Sequence, residues 1–209
     1  CISGNLDEPG FDEYITKWAA RPEIRGLRQV LHVPSAASGT CLEPGFLANV
    51  RRLGELGLVF EGCVRCPELG DLVTVAKECP DTTIVLNHMG IVDADIMGAT
   101  NPTEDERAYQ EAWKRNMAQI GQLPNVVCKV SGLNPMKEWG VESLSRAVDV
   151  ALDAFDADKV MFASNFPVLH VAMTLDEWIC AMLEMTEGLD ADDRAALFAE
   201  NARRVYGLK

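Results

Sequence analysis

The sequence predicts an α/β fold built on a parallel sheet covered by helices. Three observations lead there. Short apolar runs alternate with longer amphipathic runs along the whole chain. The short runs are apolar on consecutive positions rather than on every second one, so both of their faces are buried. No two-residue hairpin signal joins any neighbouring pair, which leaves helical crossovers between parallel strands. A doubly wound sheet and a (β/α) barrel both satisfy this pattern. No glycine-rich phosphate loop follows any strand, which weakens a nucleotide-binding version.

Taken in order, Cys1–Asn5 resembles the tail of a strand, without an initiator Met. We therefore expect residues upstream of it. Phe11, Tyr14, Ile15 and Trp18 recur at helical spacing over 11–20, and 26–32 reads as a strand. Phe46, Leu47, Val50, Leu53 and Leu56 form one stripe of a helix over 44–57. A strand is expected over 58–64, a helix over 68–78 and a strand over 83–88. The polar stretch 92–105 then precedes a helix over 104–122 and is the candidate lid. A strand over 125–130, a helix over 141–155 and a strand over 160–163 follow. Two helices, over 174–186 and 191–205, close the chain. All of residues 1–209 are expected to form one domain.

Composition excludes several functions. A net charge of −13 repels phosphate backbones, so nucleic acid is not an expected partner. No apolar run approaches the roughly 18–20 residues that span a bilayer, and no membrane association is expected. No basic segment followed by an apolar core marks a signal peptide. The seven cysteines are odd in number and several lie inside apolar segments. Reduced thiols and a cytoplasmic location are the expectation. Cys63-Val-Arg-Cys66 has the spacing of a metal or redox pair, but no second pair exists and the motif closes a strand rather than opening a helix. Neither role is assigned to it.

The strand ends hold the candidate chemistry. Lys159-Val-Met-Phe-Ala-Ser-Asn-Phe-Pro167 is an apolar run that stops on Asn165. The proline two positions later prevents simple continuation of the strand. Arg28 and His32 lie on one strand, Arg65 and His88 end two others, and Lys129 and Ser131 end a fourth. All three histidines, His32, His88 and His170, fall at or just beyond C-terminal strand ends. In a parallel barrel those ends share the catalytic face.

Three segments together resemble the amidohydrolase-2 family of (β/α)8-barrel hydrolases. They are Ile84-Val-Leu-Asn-His88-Met-Gly90, Leu123–Leu133 with its Lys129-Val-Ser131-Gly132, and Asp158–Pro167. The closing segment Ala195–Gly207 is similar to the family's last helix, and Leu56–Arg65 to its fifth strand. The resemblance covers nearly the whole chain and implies a barrel lacking its first two to three strands here. It implies a lactone or related cyclic or carboxylic ester as substrate, cleaved by water at the C-terminal face. It further implies that His88 ligates a metal or polarises the scissile carbonyl. Asn165 stands where the family has a proton-accepting aspartate. The family's His-x-His pair is missing from this chain.

That departure shapes the expectations. An amide neither titrates nor ligates metal as a carboxylate does. The family implies a divalent metal such as zinc, but none is expected to bind tightly here. His88 would serve as a ligand only if the missing N-terminal histidines were supplied. Arg28 and Arg65 are candidate clamps for substrate carboxylates, with His32, Lys129, Ser131 and His170 as further substrate-binding candidates. The expected partner is a small carboxylated or sugar-derived molecule. An open part-barrel would also form a homo-oligomer or associate with a missing N-terminal segment. The alternatives are a barrel-derived binding or structural subunit without catalysis, and a metal-dependent decarboxylase.

Overall fold

The computed structural model describes residues 1–208. Six parallel strands form one open sheet in sequence order. They are β1 (Ile2–Ser3), β2 (Gly26–Val30), β3 (Val59–Cys63), β4 (Ile84–Leu86), β5 (Val126–Val130) and β6 (Val160–Phe162). The strand tail at the start of the chain is β1, paired with β2 through Ile2 opposite Leu27. Among the described residues β1 and β6 are each paired on one side only.

Strand residues alternate between two environments. Phe60, Ile84, Leu86, Val126, Cys128, Val130 and Val160 belong to the main core. That core also holds the apolar stripes of α1 (Phe11–Ala19), α2 (Pro44–Glu55) and α3 (Leu69–Glu78), and of the helices Glu104–Gly121, Val141–Ala154 and Leu175–Met185. The opposite, inner face contributes a second small cluster of Val59, Val85, Val127 and Met161. The last helical segment covers it with Ala202, Val205 and Tyr206. One end of the inner face is thus plugged. The other end, at the C-terminal tips of the strands, stays open.

Local sequence sets the element boundaries. Thr103 and Glu106 form a reciprocal capping box before the Glu104–Gly121 helix, and Thr174 and Glu177 repeat it before Leu175–Met185. Each box satisfies amide groups that the first turn leaves unpaired. Gly121 is required by close approach: a β-carbon there would lie 2.0 Å from the Ala154 carbonyl oxygen. The terminal helix spans Ala191–Tyr206 with a π-helical turn at Ala196–Glu200. The strands and all helices but the last are shorter than expected by one to a few residues, and the last runs one residue further, to Tyr206.

The polar stretch 92–105 differs from a free lid. It contains a short helix, Ala94–Met97, whose Ala94 and Met97 are buried. Tyr109 accepts a hydrogen bond from the Asp93 amide at 2.8 Å, Gln110 donates to the Ile96 carbonyl, and Arg146 donates to that of Ala99. None of these residues borders the open inner face.

Candidate active site

The open end of the inner face is a cavity of about 570 Å³. Every strand from β2 to β6 contributes to its wall. Arg28 and His32 come from β2 and its exit, Cys63 from β3, Asn87 and His88 from the exit of β4, Lys129 from β5, and Asn165 from the exit of β6. A second cavity, of about 320 Å³, lies between β1 and α1, where Glu8 is its one charged wall residue. It offers no comparable chemistry.

His88 sits in an unusual backbone. His88, Met89, Gly90 and Ile91 all have positive φ, at 56°, 51°, 75° and 51°. They form one turn of left-handed helix, a conformation costing about 1–2 kcal/mol per residue with a side chain. The turn is held from outside. Trp113 donates its indole N–H to the Met89 carbonyl at 2.8 Å, and the Met89 side chain is fully buried. This geometry points the His88 imidazole back over the exit of β5, where its Nδ1 lies 2.8 Å from the Ser131 Oγ. Gly132 makes room for it: a β-carbon at Gly132 would come within 2.7 Å of the His88 ring, and its φ is +73°.

The tautomer of His88 follows from satisfying Ser131. Ser131 is fully buried, and among the described residues His88 is the partner of its hydroxyl. Were Nδ1 the donor, the hydroxyl proton would have no acceptor, a costly arrangement in the interior. Ser131 therefore donates to Nδ1, and Nε2 carries the proton. Burial, reinforced by Lys129, Arg28 and His32, pushes the imidazole down to about 4. At neutral pH His88 is an uncharged N–H donor.

Below it lies a buried charged network that sequence reasoning missed. Glu61 is 4% exposed. Its Oε1 accepts from Lys129 at 2.9 Å, from the Tyr206 hydroxyl at 2.7 Å and from the Cys1 thiol at 3.0 Å. Burial alone would raise the Glu61 carboxyl, but Lys129, Tyr206 and Arg28 outweigh burial and hold it below its ordinary value. Tyr206 is displaced upward by burial and by Glu61. The Lys129 ammonium also lies 5.2 Å from the Tyr206 ring centre. Lys129 is thus matched to a carboxylate. The guanidinium of Arg28, opposite Glu61 in the β2–β3 ladder, has no hydrogen-bonded partner among the described residues, and Arg28 lines the cavity.

His32 and Cys63 form a pair on the same wall, with Sγ 3.4 Å from Nδ1. Burial pushes the Cys63 thiol up to about 11, with Arg28 opposing and Glu61 adding to the shift, so it is a neutral thiol. Cys66 is turned into the main core, so Cys63 and Cys66 do not act as a pair. All seven cysteines are free. Asn165 has φ 54°, which asparagine tolerates better than most residues. Its carbonyl accepts the Leu169 amide at 3.1 Å.

Five of the predicted site residues therefore meet in one cavity: Arg28, His32, His88, Lys129 and Asn165. Ser131 lies directly behind His88. Arg65 and His170 are elsewhere. Arg65 is bound to Glu68 at 2.7 Å and to the Val33 and Ala36 carbonyls, bracing the segment after β2. His170 is exposed, edge-on to Phe166. Glu61 could have been suspected as a charge inside an apolar strand. Tyr206 carried no such signal.

The donor set does not fit a divalent metal. Among the described residues no three His, Cys, Asp or Glu side chains converge in metal-binding range. His32 and His88 share the cavity with two cations, and its one nearby carboxylate is engaged by Lys129. Such surroundings disfavour a dication.

The amidohydrolase family model matches residues 2–208. The chain belongs to the amidohydrolase family. An uncharacterized protein, y4mH, of Sinorhizobium fredii is 28% identical over 98% of this family member and 73% of its own length. The L-fucono-1,5-lactonase of Burkholderia multivorans is 26% identical, over 98% of this chain and 69% of its own. Crystal structures of a Burkholderia multivorans amidohydrolase, one with bound HEPES and one with bound zinc, superpose with TM-scores of 0.88 and 0.85. Both are 25% identical and cover 99% of this chain and 72% of theirs. The open six-strand sheet of this amidohydrolase is thus the counterpart of most of a TIM barrel. No helix among the described residues is long and apolar enough to cross a membrane.

Proposed function

We propose that this amidohydrolase binds a small carboxylated or sugar-derived lactone at the strand tips and hydrolyses it by water attack. The observation that carries the reading is His88, seated against Ser131 on the wall of a cavity that also contains Arg28. In lactone opening, water oxygen adds to the carbonyl carbon and the carbonyl oxygen gains negative charge. The His88 N–H is suited to stabilise that oxygen. Collapse breaks the ring C–O bond, and the ring oxygen leaves with a proton as the alcohol. Water's other proton goes to solvent. Arg28 would hold a substrate carboxylate or the nascent one. The name of the lactonase relative supports this substrate class.

Asn165 can orient the attacking water through its amide oxygen but cannot accept its proton. Hydrolysis is therefore expected to be slow in the native chain. Asn165→Asp should raise kcat/KM toward sugar lactones such as L-fucono-1,5-lactone by about 10²–10⁴-fold, and His88→Ala should abolish the gain. No turnover in either the native chain or Asn165→Asp would overturn the proposal. Asn165 also favours a second reading, a non-catalytic binding subunit. Lactone binding without turnover in both proteins would decide for it.

A further inference from the structure

The wall of the strand-tip cavity carries charge of one sign. Its lining includes Arg28 and Lys129, together with His32 and His88, and among the described residues it includes no Asp or Glu. A carboxylate lies behind this wall. The Glu61 Oε1 accepts from the Lys129 ammonium at 2.9 Å, the Tyr206 hydroxyl at 2.7 Å and the Cys1 thiol at 3.0 Å. The Lys129 side chain is 18% exposed and that of Glu61 6%. Lys129 thus borders the cavity and its counter-ion does not. Arg28 stands opposite Glu61 in the β2–β3 ladder, yet its guanidinium has no hydrogen-bonded partner among the described residues. A buried ion pair adds little stability over apolar side chains of similar volume, so folding alone does not explain a carboxylate under this wall. Its effect on the cavity does. Of the two cations there, Glu61 compensates one and leaves the other open.

We propose that Glu61 sets the charge of the ligand: through Lys129 it makes the cavity a site for one carboxylate and turns a dicarboxylate away. A monoanion places its carboxylate on Arg28, whose fork of N–H donors is unengaged. A second carboxylate on the same ligand would leave water to meet a lysine already bonded to Glu61. It would also approach the Glu61 carboxylate behind that lysine. Exclusion by unfavourable charge is one of the two ways in which a site discriminates. Glu61 acts by holding Lys129, and Tyr206 from the terminal helix fixes the carboxylate that does so. The inference rests on the proposed reading for Arg28 as the carboxylate holder and adds the number of charges that the site accepts.

The test uses binding rather than turnover. Calorimetric titration of the whole chain at neutral pH would compare L-fuconate with galactarate. The two share their pattern of hydroxyls, and galactarate has a second carboxylate in place of the terminal methyl. The native chain should bind L-fuconate at least about tenfold more tightly. Glu61→Gln keeps the side chain's size and an acceptor oxygen but removes its charge, so Lys129 becomes a second open cation. This variant should bind galactarate at least as tightly as L-fuconate. Glu61→Gln combined with Lys129→Met removes both charges and should return the preference to L-fuconate. A merely structural role would weaken both acids together and leave their ratio unchanged. Equal affinities or a preference for galactarate in the native chain, a ratio that Glu61→Gln does not move, or no detectable binding of either acid at millimolar concentration would each overturn the proposal.

A second measurement covers a partly unfolded Glu61→Gln chain. Ligand binding to the folded state raises the melting temperature, and galactarate should raise that of Glu61→Gln at least as far as L-fuconate does. A larger rise with L-fuconate would count against the proposal. A charge preference that shifts as described, without lactone turnover, would leave the role of Glu61 standing and remove the hydrolase reading. Turnover with an unmoved ratio would do the opposite.

Discussion

The two ends of the sheet's inner face are built on different principles. At the plugged end Val59, Val85, Val127 and Met161 meet Ala202, Val205 and Tyr206 in ordinary apolar packing. At the open end the backbone runs through four consecutive left-handed residues, a buried histidine and an arginine whose guanidinium has no hydrogen-bonded partner among the described residues. The first end is held by apolar burial. The second carries strained backbone, which is how sites that must bind something else are often made. Glu61, Lys129 and Tyr206 form the boundary, where a carboxylate tied to the closing helix matches the cation at the floor of the cavity.

Substitutions should separate the two ends. The largest effect is expected at the boundary. Glu61→Leu leaves Lys129 buried without its carboxylate and should destabilise the chain by about 3–5 kcal/mol in urea denaturation. Adding Lys129→Met should restore much of that loss. If the double variant is as unstable as the single one, the ion pair does not set the boundary. Next, Met161→Ala at the plugged end should cost about 2–5 kcal/mol of stability, yet leave ligand affinity per folded molecule unchanged. A weaker affinity in the folded fraction would show that the two ends are coupled.

Gly132→Ala forces a β-carbon into the His88 ring at a backbone angle that disfavours side chains. It should cost about 1–3 kcal/mol and displace the His88 signals in NMR spectra. Unmoved His88 resonances would mean that the ring is not seated as described. The smallest effect is a protonation one. The His88 imidazole should remain neutral until about pH 4 in an NMR titration. Because its folded value lies below the ordinary one of 6.5, the unfolded chain binds the extra proton first as pH falls. The stability contributed by neutral His88 is therefore complete above about pH 6.5 and is lost progressively down to about pH 4. A His88 midpoint near 6.5 would remove the neutral-donor role.

Much of the architecture was legible in the residues. Consecutive apolar positions in 58–64, 125–130 and 160–163 identify strands buried on both faces, and the stripes of 44–57 and 68–78 identify the helices that cover them. The site was legible where a strand stops on a polar residue, as at His88 and Asn165. It was illegible where the partner is remote. Arg65 looks like a carboxylate clamp until the Val33 and Ala36 carbonyls are seen to occupy it. Glu61 depends on Tyr206, 145 positions away. His170 ends the right kind of segment but projects into solvent. Only the middle of His88-Met-Gly-Ile91 hints, through its glycine, at a left-handed turn.

Periodicity and residue type alone determined the strand–helix alternation, the parallel sheet and the face on which its polar ends gather. These depend on local hydrogen bonding and on which side chains leave water, and both are written along the chain. The tertiary structure decided which polar groups are satisfied. It matched Lys129 to Glu61, used up Arg65, and left the Arg28 guanidinium without a hydrogen-bonded partner among the described residues. Such outcomes depend on distances between segments far apart in sequence, and no local pattern encodes them.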